Sequence, residues 1–152
     1  GSMVVYKGTG ALIIGESGAG KSRCCLDLLG TGARLVADDL VEIKKEGGKL
    51  YGKSPWQIRH MIEIRQTGLK DVRSLFGERA AADRSAIDIV FEIAAPETAE
   101  SYAGPYAELE LMDVMDVMDV KVPLKRIRAG GVRTVSELVR HTCEERCQDN
   151  CR

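Results

Sequence analysis

Nothing in this chain constrains its fold more than Ala11 to Leu29, ALIIGESGAGKSRCCLDLL, an apolar run that enters a glycine-rich loop and leaves it as a helix-compatible stretch. Gly15, Gly20, Lys21 and Ser22 stand at the spacing G-x-x-x-x-G-K-S, with Glu16, Ser17, Gly18 and Ala19 between them. Glycines at that spacing let successive backbone N–H groups converge on a phosphate with no Cβ in the way. A helix starting near Lys21 adds the positive end of its dipole and its unpaired first-turn donors. Lys21 then lies along the outer phosphates and the Ser22 hydroxyl ligates Mg²⁺. The bland alternative is a turn that merely links a strand to a helix. Against it, Leu12 to Ile14 supply the strand before the loop, and Leu26, Leu28 and Leu29 supply apolar helix positions after it. Residues 15 to 22 are therefore expected to bind a nucleoside triphosphate.

A length of 152 residues with 44% apolar side chains suits one ordinary domain, expected over 4–152. Twenty-two basic and 23 acidic residues leave a net charge of −1, so no bulk field points to nucleic acid or to an anionic membrane. No apolar run approaches the roughly 20 residues of a bilayer span, and no charged-then-apolar leader opens the chain. A soluble, cytoplasmic protein is expected. Gly1, Ser2 and Met3 look like a cloning remnant followed by a start methionine, or by an internal cut, and are set aside from the fold. The five cysteines are odd in number, so they form no secreted disulfide framework. Cys143, Cys147 and Cys151 recur every four residues and could form a helical stripe of thiolates. With no C-x-x-C pair and only His141 nearby, a structural role is preferred to a metal site.

Along the chain, Val4–Tyr6 and the strand at Ala11 read as a hairpin, and Arg34–Ala37 reads as an apolar strand ending in Asp38 and Asp39. Leu40–Lys45 and Lys49–Gly52 flank a Gly47–Gly48 turn. Ile62–Arg65 is a short strand carrying Glu63 and Arg65. Residues 66–70 follow as a loop, then a helical turn to Phe76 capped by Asp71. Ser85–Ile93 alternates as one strand, 94–105 is a loop, and Ala107–Leu111 is a strand. Met112–Val120, MDVMDVMDV, has a period of three that suits neither regular element, so it reads as a loop or ragged edge strand with solvated aspartates. Lys121–Leu124 is a strand, and Lys125, Arg126 and Arg128 form a basic cluster. Thr134 or Ser136 caps a last helix.

The runs GESGAGKS, RLVADDLVEI and MIEIRQTGLKDVRSLFG together resemble the catalytic domain of the HPr kinase/phosphorylase family, over Val4 to Ile93 and more loosely over Val122 to Ala129. The resemblance implies a sheet-rich α/β domain related to phosphoenolpyruvate carboxykinase, without the family's separate N-terminal domain. It implies an ATP- and Mg²⁺-dependent kinase, and also a phosphorylase, acting on a serine of the phosphocarrier protein HPr, in a homo-oligomer that is a hexamer in the family. By the same resemblance Lys21 binds phosphate, and Ser22 and Glu63 hold Mg²⁺. Asp39 is the base for the serine proton with Asp38 beside it, Arg65 contacts phosphate or orders the capture loop, and Arg128 falls near a segment tied to the reverse reaction. Without the phosphate loop, Asp38 and Asp39 would read as a turn or cap pair, and Arg65 as a surface ion pair.

Several positions depart from the family pattern. Gln66 stands where the family has glycine, Tyr102 stands at an arginine position, Arg23 replaces a glutamate, and neither His60 nor His141 matches the family histidine. Arg23 aside, these departures fall in the phosphate-accepting half, while the ATP and Mg²⁺ half keeps its motif, which favours kinase over phosphorylase. Two other readings remain open: a nucleotide-binding regulator with little transfer, and a kinase of a small hydroxy metabolite.

Overall fold

The computed structural model describes residues 1–16, 18–94, 106–109, 113–129 and 133–150. Strands β1 (Ser2–Tyr6) and β2 (Thr9–Gly15) form the expected hairpin, in register from Tyr6↔Thr9 to Ser2↔Ile13. Lys7 and Gly8 between them both have positive φ, 47° and 77°, the two-residue turn whose twist matches that of the strands. The first strand begins earlier than the sequence suggested. Ser2 and Met3 are fully buried members of β1, so these residues belong to the fold.

Helix α1 (Lys21–Leu29) follows the phosphate loop, and β3 (Arg34–Ala37) pairs antiparallel with β1. β4 (Glu42–Glu46) and β5 (Lys49–Lys53) fold about Gly47 and Gly48, and β8 (Arg84–Ala86) joins β5 in a small three-stranded sheet. β6 (Met61–Ile64) pairs with β7 (Gly68–Asp71), so residues 66–70, expected as a loop, contain a turn and a return strand. Gly68, Leu69 and Lys70 are all exposed, which is why no period-two pattern betrayed the strand. Asp71 caps α2 (Val72–Phe76) by accepting from the Arg73 N–H at 2.9 Å, as its position predicts.

The alternating run expected as one strand is divided between two sheets. β8 ends at Ala86, and β9 (Ile89–Ile93) enters the large sheet after Ile87 N–H donates to Leu50 O and Asp88 N–H to Gly10 O. The remaining elements are β10 (Tyr106–Leu109), β11 (Asp113–Val117), β12 (Val120–Ala129), β13 (Arg133–Thr134) and α3 (Val135–Asn150). The aspartate-rich repeat is an edge strand and turn. A period of three cannot alternate faces, and Asp113 engages Arg126 at 3.1 Å while Met115 and Val117 pack inward. The expected basic cluster is a continuation of β12. Thr134 caps α3, its hydroxyl accepting from Glu137 N–H at 3.3 Å.

The large sheet has the order β13-β10-β12-β9-β2-β1-β3, with β11 also on β12. β9 runs parallel to both β2 and β12. Because β3 and β2 each run antiparallel to β1, the strands β2, β3, β9 and β12 all end on one edge. One face packs Ile13, Leu35, Phe91 and Ile127 against α1 and α3; the other packs Leu12, Val36, Val90 and Leu124 against Leu50 and Ile87 below the small sheet. The sheet-rich α/β architecture is the one expected. Phe91 is fully buried at its centre, so truncation to alanine there would cost roughly 3–5 kcal/mol. Among the described residues no helix is long and apolar enough to cross a membrane.

Candidate active site

The shared C-terminal edge of parallel strands is where open α/β sheets take ligands, because loops diverge there and helix N-termini point inward. The phosphate loop leaves β2 at Gly15, where a Cβ would come within 2.8 Å of Ile93 O on the neighbouring strand, so glycine is required for that exit. Gly20 precedes α1 at φ 98° and provides no side-chain cap, leaving the first-turn N–H groups turned to the loop. A Cβ built on Gly18 or Gly20 would meet no atom within 4 Å beyond its chain neighbours, and both glycines hold positive φ, 84° and 98°, which side-chain-bearing residues rarely adopt. Lys21 Nζ folds over this loop and donates to Gly15 O at 2.6 Å and Glu16 O at 2.8 Å, carbonyls with which a polyphosphate would compete. Ser17 lies outside the described residues.

β3 delivers the acidic pair to the same edge, and the two carboxylates have different surroundings. Asp38 is 4% exposed and is held by three donors: the Ser2 and Ser22 hydroxyls on Oδ1, both at 2.8 Å, and the Glu63 N–H on Oδ2 at 3.0 Å. It thereby ties β1, α1 and β6 to one point. Asp39 is exposed and has φ 71°, with Leu40 N–H donating to Asp38 O at 2.9 Å across it. That is a γ-turn of the rare left-handed sense, a conformation an L-residue keeps only when its surroundings impose it. Gly1 N supplies part of that constraint by donating to Asp39 O at 3.0 Å.

Asp38, Asp39 and Glu63 line a cavity of about 260 Å³ whose apolar wall is Ile58, Met61 and Leu69. The structure thus gathers Asp38, Asp39 and Glu63 in one cavity, with Ser22 joined to it through Asp38. Arg65 is not among the residues that line it and lies in the exposed turn two residues past Glu63. Arg128 lies one residue beyond Ile127, which is in register with Ile93 and so with Gly15, two strand spacings or roughly 10 Å from the loop. Its backbone shares the edge with the loop, and its side chain is exposed. Tyr102 is outside the described residues.

A hydroxyl and carboxylates are hard oxygen donors of the kind Mg²⁺ accepts while keeping waters and phosphate oxygens as its other ligands. The Ser22 hydroxyl and the Glu63 carboxylate are donors of this kind, and among the described residues no three or more His, Cys, Asp or Glu side chains converge as a ready-made metal cage. The cysteine stripe has another setting. Cys143 is fully buried between α3 and the sheet, and burial pushes its thiol up to about 12, away from the thiolate a metal requires. Cys151 lies outside the described residues. His60 is buried with Nε2 3.2 Å from Asp83, and His141 pairs with Glu145, so both have partners of their own.

Sequence reasoning missed Ser2 and the apolar wall. Ser2 was legible in principle: Ser2, Val4 and Tyr6 share one face of β1, the face that receives α1.

Comparison with known proteins agrees with this architecture. The profile of the HPr serine kinase C-terminal domain matches residues 1–149. An HPr kinase/phosphorylase of Thermoanaerobacter sp. (strain X514) is 42% identical over 141 residues, 91% of this chain and 45% of the relative. One from Caldanaerobacter subterraneus subsp. tengcongensis is 48% identical over 94 residues, 61% of this chain and 31% of the relative. The chain therefore spans less than half the length of these curated relatives. The HPr(Ser) kinase/phosphatase structure from Coxiella burnetii superposes with a TM-score of 0.77 at 24% identity, covering 97% of this chain and 94% of that one, which establishes the shared fold. With a profile match that starts at Gly1 and runs through the phosphate loop, the acidic corner and α3, the chain belongs to the HPr serine kinase C-terminal domain family.

Proposed function

We propose that this domain transfers the γ-phosphoryl group of ATP to a serine hydroxyl of an HPr-like phosphocarrier protein. The observation that carries this reading is the convergence of the phosphate loop, the Ser22–Asp38 hydrogen bond and the Asp39 and Glu63 carboxylates on one edge of the sheet. When bound, Mg²⁺–ATP supplies the phosphoryl group and neutralises charge on its outer oxygens. Lys21 and the N-terminus of α1 would hold the phosphates, and Ser22 and Glu63 would hold the metal. Asp39 takes the proton of the serine hydroxyl as the new P–O bond forms and the β–γ bridging bond breaks, releasing ADP. Asp38, with its donors already in place, orients Ser22 and the corner that carries Asp39. Arg65 and Arg128 are assigned to the flanks of the transferring phosphoryl group.

Incubation with ATP, Mg²⁺ and a purified HPr, followed by mass spectrometry, tests the proposal. A gain of one phosphate on a serine supports it. Tight nucleotide binding without transfer would mark a regulator, and phosphorylation of a free hydroxy compound alone would mark a metabolite kinase. Running the reaction backward from phosphorylated HPr and inorganic phosphate tests the phosphorylase arm.

A further inference from the structure

We propose that Ser2, at the start of β1, is a positioning residue of the phosphoryl-transfer site, holding Asp38 and through it the Ser22 hydroxyl and the Asp39 corner. The inference rests on the reading of this edge as a kinase site. Ser2 is fully buried, and its hydroxyl donates to Asp38 Oδ1 at 2.8 Å, the same oxygen that receives Ser22 Oγ at 2.8 Å. The opposite oxygen of Asp38 is fixed by the Glu63 N–H at 3.0 Å. A carboxylate held on both oxygens cannot rotate, so the direction in which Ser22 presents its lone pairs is set by this network.

The same stretch of β1 also holds the strained turn. Gly1 N donates to Asp39 O at 3.0 Å, and Asp39 keeps φ 71° between an anchored carbonyl and an anchored predecessor. Without the Ser2 hydroxyl, Oδ1 of Asp38 keeps only the Ser22 donor of its two, so the carboxylate and the Ser22 hydroxyl can shift together and the strained corner at Asp39 is held less firmly. A buried hydroxyl on the sheet face that packs against α1, where valine and tyrosine occupy the next inward positions of the strand, has no packing reason to be polar.

The test compares the parent chain with Ser2→Ala, Ser2→Thr, Ser22→Ala and the Ser2→Ala/Ser22→Ala double variant, well below their unfolding temperatures. Calorimetry gives ATP affinity as a function of Mg²⁺, and mass spectrometry gives the rate of transfer to HPr. Ser2→Ala is expected to raise the half-saturating Mg²⁺ concentration and lower kcat, the two together by at least about tenfold, with little change in the KM for HPr. Ser2→Thr, which keeps the hydroxyl, should restore most of the loss. In the Ser22→Ala background, Ser2→Ala should add little to the Mg²⁺ defect, because both act on one oxygen. A Ser2→Ala protein that melts earlier but matches the parent in Mg²⁺ dependence and kcat overturns the inference while leaving the kinase reading intact. A parent that binds no Mg²⁺–ATP overturns both.

Discussion

Ser22 and Asp38, sixteen positions apart in sequence, meet through a 2.8 Å hydrogen bond that joins the start of α1 to the end of β3. The phosphate-binding and acidic halves of the site are therefore one unit, and a change to either side should be read in the other. Ser22→Ala and Glu63→Gln are each expected to raise the Mg²⁺ concentration needed for nucleotide binding by roughly tenfold or more, since few protein oxygens hold this ion. Unchanged Mg²⁺ titrations in both variants would remove these residues from the metal site.

Lys21→Ala should lower transfer by about 10²–10³ and weaken ATP binding, because the ammonium neutralises charge that grows on the phosphates in the transition state. Its present acceptors, Gly15 O and Glu16 O, are backbone atoms at the start of the loop, so the fold should survive the change. Near-parental turnover would exclude the lysine from the chemistry.

Gln66 holds φ 74° in the turn between β6 and β7, a left-handed conformation that costs a side-chain-bearing residue more than it costs glycine. Gln66→Gly, which restores the residue the family pattern has there, should stabilise the domain by roughly 0.5–1 kcal/mol and raise Tm by about 1–4 °C. A calorimetric scan showing a lower Tm would mean that the glutamine side chain makes a compensating contact.

Asp71 caps α2, and its hydrogen bonds from the Arg73 guanidinium and N–H hold its carboxyl down to about 2. A carboxylate whose folded pKa lies below its unfolded value of roughly 3.9 stabilises the fold fully above that value and loses the contribution as pH falls toward 2. Asp71→Ala should thus cost about 1 kcal/mol at neutral pH and progressively less between pH 4 and pH 2. Urea titrations across that range decide it, and a penalty independent of pH would refute the cap's ionic character.

Much of the site was legible because its signals are local. The phosphate loop, the Asp38–Asp39 corner after an apolar strand and the Asp71 cap each follow from residues within a few positions of one another. Ser2 was lost because its role depends on register with Ile13 and on Asp38, thirty-six residues away. β7 was lost because an exposed strand carries no alternation. The run from Ser85 to Ile93 reads as one strand because no glycine, proline or turn residue pair marks a break in it; the Ile87 N–H bond to Leu50 O and the Asp88 N–H bond to Gly10 O show where the chain changes sheets.

Asp38→Asn and Asp39→Asn should separate the two carboxylates. An amide at position 38 replaces an acceptor oxygen with a donor facing the Ser2 and Ser22 hydroxyls or the Glu63 N–H, so that variant should lose stability and Mg²⁺ affinity together.

The most direct measurement is a paired one on Asp39→Asn, with nucleotide affinity by calorimetry and phosphoryl transfer to HPr by mass spectrometry. Asp39 is exposed on the cavity, so its substitution leaves the Asp38 network intact. Transfer should fall by about two to four orders of magnitude while ATP affinity stays level or rises slightly, as a negative charge near the phosphates is removed. Transfer by Asp39→Asn at the parental rate would contradict the assignment of Asp39 as the base.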